Sequence, residues 1–350
     1  MNRKITKKVF LSLILAVLAT GSVMAVGPLV DAEMGGAPVA KKEASYMVPE
    51  HSQVLDVKVT KPAISYVSNV VYAQVPSRGF ENVALKMDIL KPQVKTPLPA
   101  VVVITGGGFI NANKDNYMQQ RVKLAEAGYV VASIDYRVAP TAIFPQPLED
   151  VKAAIRYLRA NAMKFNIDPE HIGVWGGSAG GYLAAMAGTT SGLAKFDVGE
   201  HLEVSSSVQA VVDMYGLSDL TQIGADYSVD NQKRHMSPGA TEALWVNGSP
   251  VFGGVDGGIM ADLERAKAAN PITYIDKYAP PFLLLHGTED TSVSPSQTNL
   301  LHLALLAQGV DSTRYVVPGA KHGGEYWVQP EVVDTVIAFF NRTLKEKMPE

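Results

Sequence analysis

Short apolar runs alternate with amphipathic segments along most of the chain, beginning near Val67. The runs are rich in Val, Ile and Leu, and several are apolar at every position, which is typical of strands buried on both faces. They predict strands at 67–75, 83–90, 100–105, 129–134, 172–175, 208–214, 282–286 and 314–317. We expect the first two to be antiparallel. Because strands alternate with helices, the pattern predicts an α/β fold with a mostly parallel eight-stranded sheet and helices on both faces.

The predicted helices carry periodic apolar positions. The helix that we expect to begin at Pro147 has its apolar residues on one face, three, seven and ten positions after the first. Those residues are Leu148, Val151, Ile155 and Leu158. Further helices are predicted at 117–127, 295–307 and 331–344, and one more begins at Ala179.

One segment, residues 217–272, breaks this alternation. It contains scattered Gly, Asp and Asn residues and only one clear helical stretch, near 260–269. A long insertion without regular structure is usually functional or mobile. Because it lies between two predicted strands, we interpret it as a cap over the strand ends.

The N-terminal residues differ from the rest of the chain. A basic start is followed by an apolar run at 9–18 and by small residues up to Ala25. This order is typical of a secretory signal peptide, so we predict cleavage after Ala25 and export to the periplasm, the cell surface or the extracellular space. An uncleaved membrane anchor is the alternative, although the run is short for a span. We interpret residues 26–60 as a mobile leader and 61–350 as the catalytic domain.

Composition and charge exclude several classes of protein. The chain has no cysteine, which excludes disulfides and cysteine-bound metal. Its formal net charge is −3 and becomes −7 without the four basic residues of the first 25. An acidic chain has no electrostatic basis for binding nucleic acid, and we expect no stable membrane association once the signal is removed.

A glycine-flanked serine is the first candidate for chemistry. Ser178 lies in Gly176-Gly177-Ser178-Ala179-Gly180, between a predicted strand and a predicted helix. A sharp strand-to-helix turn needs glycines where side chains would collide, and it exposes the serine hydroxyl above the sheet. It also places the amide of Ala179 at a helix N-terminus. The alternative is a glycine-rich turn in which the serine is only a helix cap.

A serine hydroxyl needs a base to remove its proton, and the chain has seven histidines. Our candidate is His322, because it lies in a loop after the last strand, on the sheet edge where Ser178 is expected. A surface-loop histidine is the alternative. The pattern alone excludes neither His201 nor His235. We interpret His286, at the end of a strand, as a buried structural residue.

The base in turn needs an acid that fixes its tautomer. Asp290 follows the strand at 282–286 and precedes His322 by 32 residues. The order serine, acid, histidine is the one expected for a nucleophile at such a turn. Glu289 is the alternative candidate for this acid, because it is the residue next to Asp290 in the sequence.

Three glycines follow the strand at 100–105. Amides of Gly107 and Gly108, together with that of Ala179, would surround a carbonyl oxygen as it becomes negative, so we predict an oxyanion hole. The alternative is a phosphate-binding loop. No Gly-Lys-Ser/Thr follows, which argues against it.

These motifs occur in the order found in a known family. They are Gly-Gly-Gly-Phe at 106–109, Asp-Tyr-Arg at 135–137, Phe-Pro-Gln-Pro-Leu-Glu-Asp-Val at 144–151, Gly-Gly-Ser-Ala-Gly-Gly at 176–181 and His-Gly-x-x-Asp at 286–290. From about Val67 to Leu344 the sequence resembles the hormone-sensitive-lipase-like carboxylesterases, and especially their bacterial feruloyl-esterase-like branch. The resemblance implies the α/β-hydrolase fold.

The resemblance also implies roles for individual residues. It implies a catalytic triad of Ser178, Asp290 and His322, with oxyanion donors from Gly107, Gly108 and Ala179. It implies structural roles for Arg137 and Asp150. The sequence departs from the lipase-like pattern at Thr105, where the family has a histidine that usually orders the loop.

We therefore expect a serine carboxylesterase that forms an acyl-enzyme and needs neither metal nor organic cofactor. Its substrate would be a small-molecule or carbohydrate-linked ester, and family analogy favours phenolic or acetyl esters of plant polysaccharides. One alternative is an exopeptidase of the prolyl-oligopeptidase type, although no propeller domain fits before the fold. Another is a non-catalytic binding protein on a hydrolase scaffold.

Aromatic residues are the candidates for substrate contacts. We select Phe109, Tyr227, Trp245 and Trp327. Aromatic rings bind phenolic or sugar-linked groups, but they equally serve to pack a cap onto its domain.

Overall fold

The protein is described by a computed structural model that covers residues 51–345. The predicted signal peptide and most of the predicted leader lie outside the described residues. The chain divides into one unit that ends at Lys58 and a second that begins at Val59 and carries the whole sheet.

The second unit contains an eight-stranded sheet, which confirms the predicted strands. The strands are β1 (Ile64–Ser77), β2 (Phe80–Pro92), β3 (Leu98–Ile104), β4 (Val130–Ile134), β5 (Ile167–Gly177), β6 (Ala210–Met214), β7 (Phe282–Gly287) and β8 (Ser312–Val317). Their order in the sheet is β1-β2-β4-β3-β5-β6-β7-β8. Strand β2 is antiparallel to both of its neighbours, and every other pair is parallel.

The helices lie on both faces of the sheet, as predicted. They are α1 (Met118–Glu126), α2 (Gln146–Ala160), α3 (Ala162–Phe165), α4 (Ala179–Thr189), α5 (Val229–His235), α6 (Thr241–Asn247), α7 (Leu263–Ala268), α8 (Ser296–Ala307) and α9 (Pro330–Phe340). Because side chains alternate along a strand, Val102 packs in one core with α2, α4 and α8, while Val101 and Val103 pack in the other with α1 and α9. The predicted apolar face of α2 is fully buried in the first core.

The segment between β6 and β7 contains more helix than the sequence predicts. Only α7 matches the helical stretch expected near 260–269, whereas α5 and α6 were not anticipated. Each has only seven residues, which is too short to show a helical period. The segment is tied to the sheet domain by hydrogen bonds from Tyr182 Oη to the carbonyl of Ala269 at 2.7 Å and from the amide of Phe144 to the carbonyl of Trp245 at 2.8 Å.

Candidate active site

Ser178 occupies a sharp turn between β5 and α4. Its backbone has φ 57° and ψ −126°, a conformation that a residue with a side chain adopts only under strain. A Cβ on Gly176 would lie 2.0 Å from the carbonyl oxygen of Gly180, and one on Gly180 would lie 2.0 Å from that of Ile104. Both positions therefore require glycine, and the turn holds the Ser178 side chain at the carboxyl end of the strands.

Ser178, His322 and Asp290 form a hydrogen-bonded chain. Nε2 of His322 lies 2.8 Å from Oγ of Ser178, and Nδ1 of His322 lies 2.7 Å from Oδ2 of Asp290. Asp290 follows β7 and His322 follows β8, so both come from loops at the edge of the sheet where Ser178 lies. The competitor Glu289 is exposed, and its backbone amide bonds to the carbonyl of Ala320.

Asp290 is held as a carboxylate. Its Oδ1 accepts hydrogen bonds from the amides of Ser292 at 2.8 Å and Val293 at 3.0 Å. Burial by itself would raise the pKa of Asp290, but the hydrogen bonds from His286 and His322 and from the Val293 amide outweigh burial, and the pKa lies well below its usual range. Asp290 is thus a charged partner for His322 over the whole neutral pH range.

His286 supports this carboxylate from behind. It is fully buried, with Nε2 3.1 Å from Oδ2 of Asp290 and Nδ1 3.0 Å from Oγ1 of Thr298. Its position agrees with the structural role predicted for it. The two histidines that the sequence left open pair with other carboxylates: His201 is near Glu203, and His235 pairs with Glu242 in the cap segment.

The glycine loop after β3 lies beside Ser178. The carbonyl of Gly107 accepts hydrogen bonds from the amides of Ile110 at 3.2 Å and Asn111 at 3.0 Å, and a Cβ on Gly107 would lie 2.1 Å from the Asn111 carbonyl oxygen. Among residues 51–345, the amides of Gly107 and Gly108 donate to no acceptor. The amide of Ala179 is the first of α4 and has no partner within the helix. These three amides are therefore available to a ligand.

Two hollows meet at Ser178, and Gly108 and His322 line both of them. The first, which we call the large cleft, has a volume of about 340 Å³. It is further lined by Tyr117, Gln120, Tyr215, Trp327 and Val328. The second, which we call the small cavity, has a volume of about 140 Å³. Its apolar wall consists of Phe109, Leu217, Ile223 and Val293, and its polar wall consists of His235, Thr241, Glu242 and Ser292.

The four aromatic residues that we predicted to contact the substrate lie in different environments. Phe109 lines the small cavity and Trp327 lines the large cleft. Tyr227 is half-buried and donates from Oη to the carbonyl of Asp290 at 3.1 Å, so it supports the loop that carries the acid. Trp245 has no exposed surface and packs against Phe109 with 4.5 Å between ring centroids. The expectation of a substrate contact is therefore wrong for Trp245, which supports the cap and the Phe109 ring.

Sequence reasoning missed two tyrosines in the large cleft. The ring of Tyr215 meets that of His322 edge to face, with 4.9 Å between centroids, and Tyr117 Oη accepts a hydrogen bond from the amide of Gly106 at 3.3 Å. Tyr215 follows β6 directly, and residues at the carboxyl end of a parallel strand line the usual ligand crevice, so its position was a usable signal. Tyr117 directly precedes α1 and carried no such signal.

Within residues 51–345, no group of three or more His, Cys, Asp or Glu side chains is arranged to hold a metal ion. None of the helices described between residues 51 and 345 has the length and hydrophobicity that a bilayer span requires.

The strand order, with β2 alone reversed, and the sharp turn that carries Ser178 define an α/β-hydrolase. The sequence model of the BD-FAE family matches residues 87–305, so the chain belongs to that family.

Individual relatives agree with this assignment. Esterase LipQ of Mycobacterium tuberculosis is 30% identical over 230 residues, which are 64% of this chain and 50% of that protein. A truncated form of a carbohydrate esterase from gut microbiota is 29% identical and has a TM-score of 0.68, over 82% of this chain and 98% of that chain. An acetyl ester-xyloside bifunctional hydrolase from Caldicellulosiruptor lactoaceticus is 27% identical and has a TM-score of 0.59, over 74% and 88%. The chain spans about half the length of the curated esterases it matches.

Proposed function

We propose that the protein is a serine carboxylesterase that cleaves carboxylic esters through an acyl-enzyme. The observation that carries the proposal is the chain of hydrogen bonds from Ser178 through His322 to Asp290, which opens onto two hollows. The esterase names of LipQ and of the carbohydrate esterase support it.

The reaction would proceed in two halves. Oγ of Ser178 attacks the ester carbonyl carbon while its proton moves to Nε2 of His322, and the amides of Gly107, Gly108 and Ala179 stabilise the negative oxygen. The carbon–oxygen bond to the alcohol breaks, and the alcohol leaves with the proton from Nε2. Water then attacks the acyl-enzyme and gives a proton to Nε2, which returns it to Ser178 as the acid is released. Asp290 stabilises the imidazolium in both halves.

We propose acetyl or phenolic esters of plant polysaccharides as the substrate class. The carbohydrate esterase and the acetyl ester-xyloside hydrolase support the carbohydrate part of this proposal. The aromatic residues Tyr117, Tyr215 and Trp327 in the large cleft provide surfaces against which the phenolic ring of an acyl group would stack. Turnover of acetylated xylan and methyl ferulate, compared with that of aminoacyl p-nitroanilides, tests the class. Hydrolysis of the anilides alone would favour the exopeptidase alternative.

The activity itself is tested with p-nitrophenyl acetate. We expect Ser178→Ala to lose about 10⁶-fold in kcat, because the nucleophile is removed. Ser237→Ala, in a turn outside both hollows, is the matched control and should keep the wild-type rate. A wild-type protein without Ser178-dependent hydrolysis of any ester or anilide would contradict the proposal and favour a binding protein.

We also propose that the protein is exported and cleaved after Ala25. The basic start, the apolar run and the small residues before Val26 support this. The protein is expressed in a bacterial host, and the exported fraction is sequenced from its N-terminus. We expect Val26 to be the first residue. Retention of Met1 on membrane-bound protein would favour the anchor alternative.

A further inference from the structure

The small cavity contains a hydrogen-bonded histidine–glutamate pair that the proposed reaction does not use. Nδ1 of His235 lies 2.7 Å from Oε1 of Glu242, whose side chain is only 5% exposed. Oγ1 of Thr241 lies 3.4 Å from Oε2 of the same carboxylate. Both carboxylate oxygens thus already have a donor, but a carboxylate has about four acceptor sites, so Glu242, which lines the small cavity, can accept a further hydrogen bond from a ligand beside the nucleophile.

The pair is held in a fixed position relative to Ser178. His235 ends α5 and Glu242 lies in the first turn of α6, and a Cβ on Gly224 would lie 2.8 Å from Cδ2 of His235, so Gly224 permits the close approach of the ring. The preceding loop is fastened to the sheet domain, because the amide of Ser294 donates to the carbonyl of Ile223 at 3.1 Å. The pair therefore behaves as part of the site rather than as a surface contact.

The size and lining of the small cavity limit its occupant. About 140 Å³ corresponds to roughly four or five water molecules, which is enough for one small ring or short polyol but not for an extended acyl chain. The apolar wall of Phe109, Leu217, Ile223 and Val293 suits C–H groups, and the opposite wall offers hydrogen-bonding side chains. A hydroxylated ring has this combination of an apolar face and polar edges.

We propose that the small cavity binds the alcohol part of the ester as a hydroxylated ring or polyol. Glu242 accepts a hydrogen bond from a substrate hydroxyl, and His235 orients Glu242. This inference rests on the proposed esterase function and names the specificity residues of the same site. Because His235 already provides a donor to the carboxylate, the pair favours a neutral hydroxyl over a cationic alcohol such as choline.

The test compares two acetate esters that share a six-membered ring containing one oxygen. One is a mono-acetylated methyl β-xyloside, and the other is tetrahydropyran-4-yl acetate, which has the ring but no free hydroxyl. We expect the wild-type kcat/KM to favour the xyloside by about 100-fold, and Glu242→Gln to lower this ratio by about 10-fold, because a site built for a hydroxyl discriminates strongly against its absence. A ratio is unaffected by the fraction of folded enzyme.

Glu264→Gln is the matched control, because its side chain is 86% exposed on α7. It should leave the ratio within about two-fold of wild type. If Glu242→Gln yields no soluble enzyme, His235→Gln is measured instead and should lower the ratio in the same direction.

Three results would overturn the inference. They are a wild-type enzyme without preference for the xyloside, a ratio that the variant at Glu242 or His235 leaves unchanged, and a preference for acetylcholine over both esters. Each of these presupposes Ser178-dependent turnover. Loss of all turnover would instead contradict the proposed function, so the two failures are distinguishable.

Discussion

Asp213 has an unusual environment for an acidic side chain. It lies on β6 with no exposed surface, and a Cβ on either Gly181 or Gly216 would come within 2.2 Å of its Oδ1. Neither carboxyl oxygen has a hydrogen-bond partner of normal geometry among residues 51–345. Burial raises the pKa of Asp213 to about 8, although the backbone amide of Gly216 opposes the rise. The folded protein thus holds a neutral acid directly behind the turn of Ser178.

This acid makes stability depend on pH. Its pKa is higher in the folded chain than the ordinary value of 3.8, so the folded state binds the extra proton and stability falls as pH rises from about 4 to about 8. Asp213→Asn removes this loss of stability, because an amide does not ionise. In urea unfolding we expect the variant to gain at least about 1.4 kcal/mol on wild type between pH 5 and pH 8, the equivalent of one pKa unit.

The control for this prediction is Asp256→Asn, because Asp256 is an exposed aspartate in the cap segment. It should follow the wild-type pH dependence. A stability difference between Asp213→Asn and wild type that is the same at both pH values would show that Asp213 is ionised in the folded protein.

At the scale of elements, the loop between β3 and α1 owes its shape to Thr105. The side chain is fully buried, and its Oγ1 accepts a hydrogen bond from the amide of Asn113 at 3.2 Å. Its carbonyl accepts one from Oη of Tyr136 at 2.7 Å. Thr105 stands where the lipase-like pattern has a histidine, and these bonds close the loop that carries Gly107 and Gly108.

Because this loop carries Gly107 and Gly108, a substitution at Thr105 should lower kcat without removing any contact with the substrate. Thr105→Val keeps the shape but leaves the amide of Asn113 without its acceptor, which costs about 1–3 kcal/mol and loosens the loop. We expect kcat for p-nitrophenyl acetate to fall about 10-fold, less than the loss of one oxyanion donor, with KM little changed. Thr105→Ser retains the hydroxyl and should restore kcat. A Val variant with wild-type kcat would contradict the role assigned to this hydroxyl.

At the scale of the whole molecule, one buried ion pair joins the edge of the sheet to a covering helix. Nη2 of Arg137 lies 2.7 Å from Oδ1 of Asp150 on α2, and Nη1 donates to the carbonyl of Pro76 in β1 at 3.2 Å. The two side chains are only 6% and 1% exposed. This placement agrees with the structural roles that the family resemblance implies for the pair.

Removing one partner should destabilise the whole fold. Arg137→Met leaves the charge of Asp150 buried without compensation, and we expect a loss of about 3–5 kcal/mol in the free energy of unfolding. The double variant Arg137→Met with Asp150→Leu removes both charges and should recover most of that loss. Urea unfolding of the three proteins measures it. A single variant as stable as wild type would show that the pair does not hold β1 and α2 together.

The sequence alone determined the features that depend on neighbouring residues. Runs of apolar residues specified the central strands, such as β3, β4 and β6, because a strand buried on both faces must be apolar throughout. The glycines around Ser178 specified its sharp turn, because a Cβ atom on Gly176 or Gly180 would collide with nearby backbone atoms. The order along the chain then placed Asp290 and His322 after β7 and β8, at the same edge of a parallel sheet.

Only the tertiary structure decided which side chains face the reacting centre. Trp245 and Tyr215 are both aromatic residues of the region after β6, yet one is sealed in the core and the other lies against His322. The pairing of His235 with Glu242 beside Ser178 was equally hidden, because the small cavity is formed by residues from five distant parts of the chain. Orientation and burial arise from long-range packing, which local periodicity does not encode.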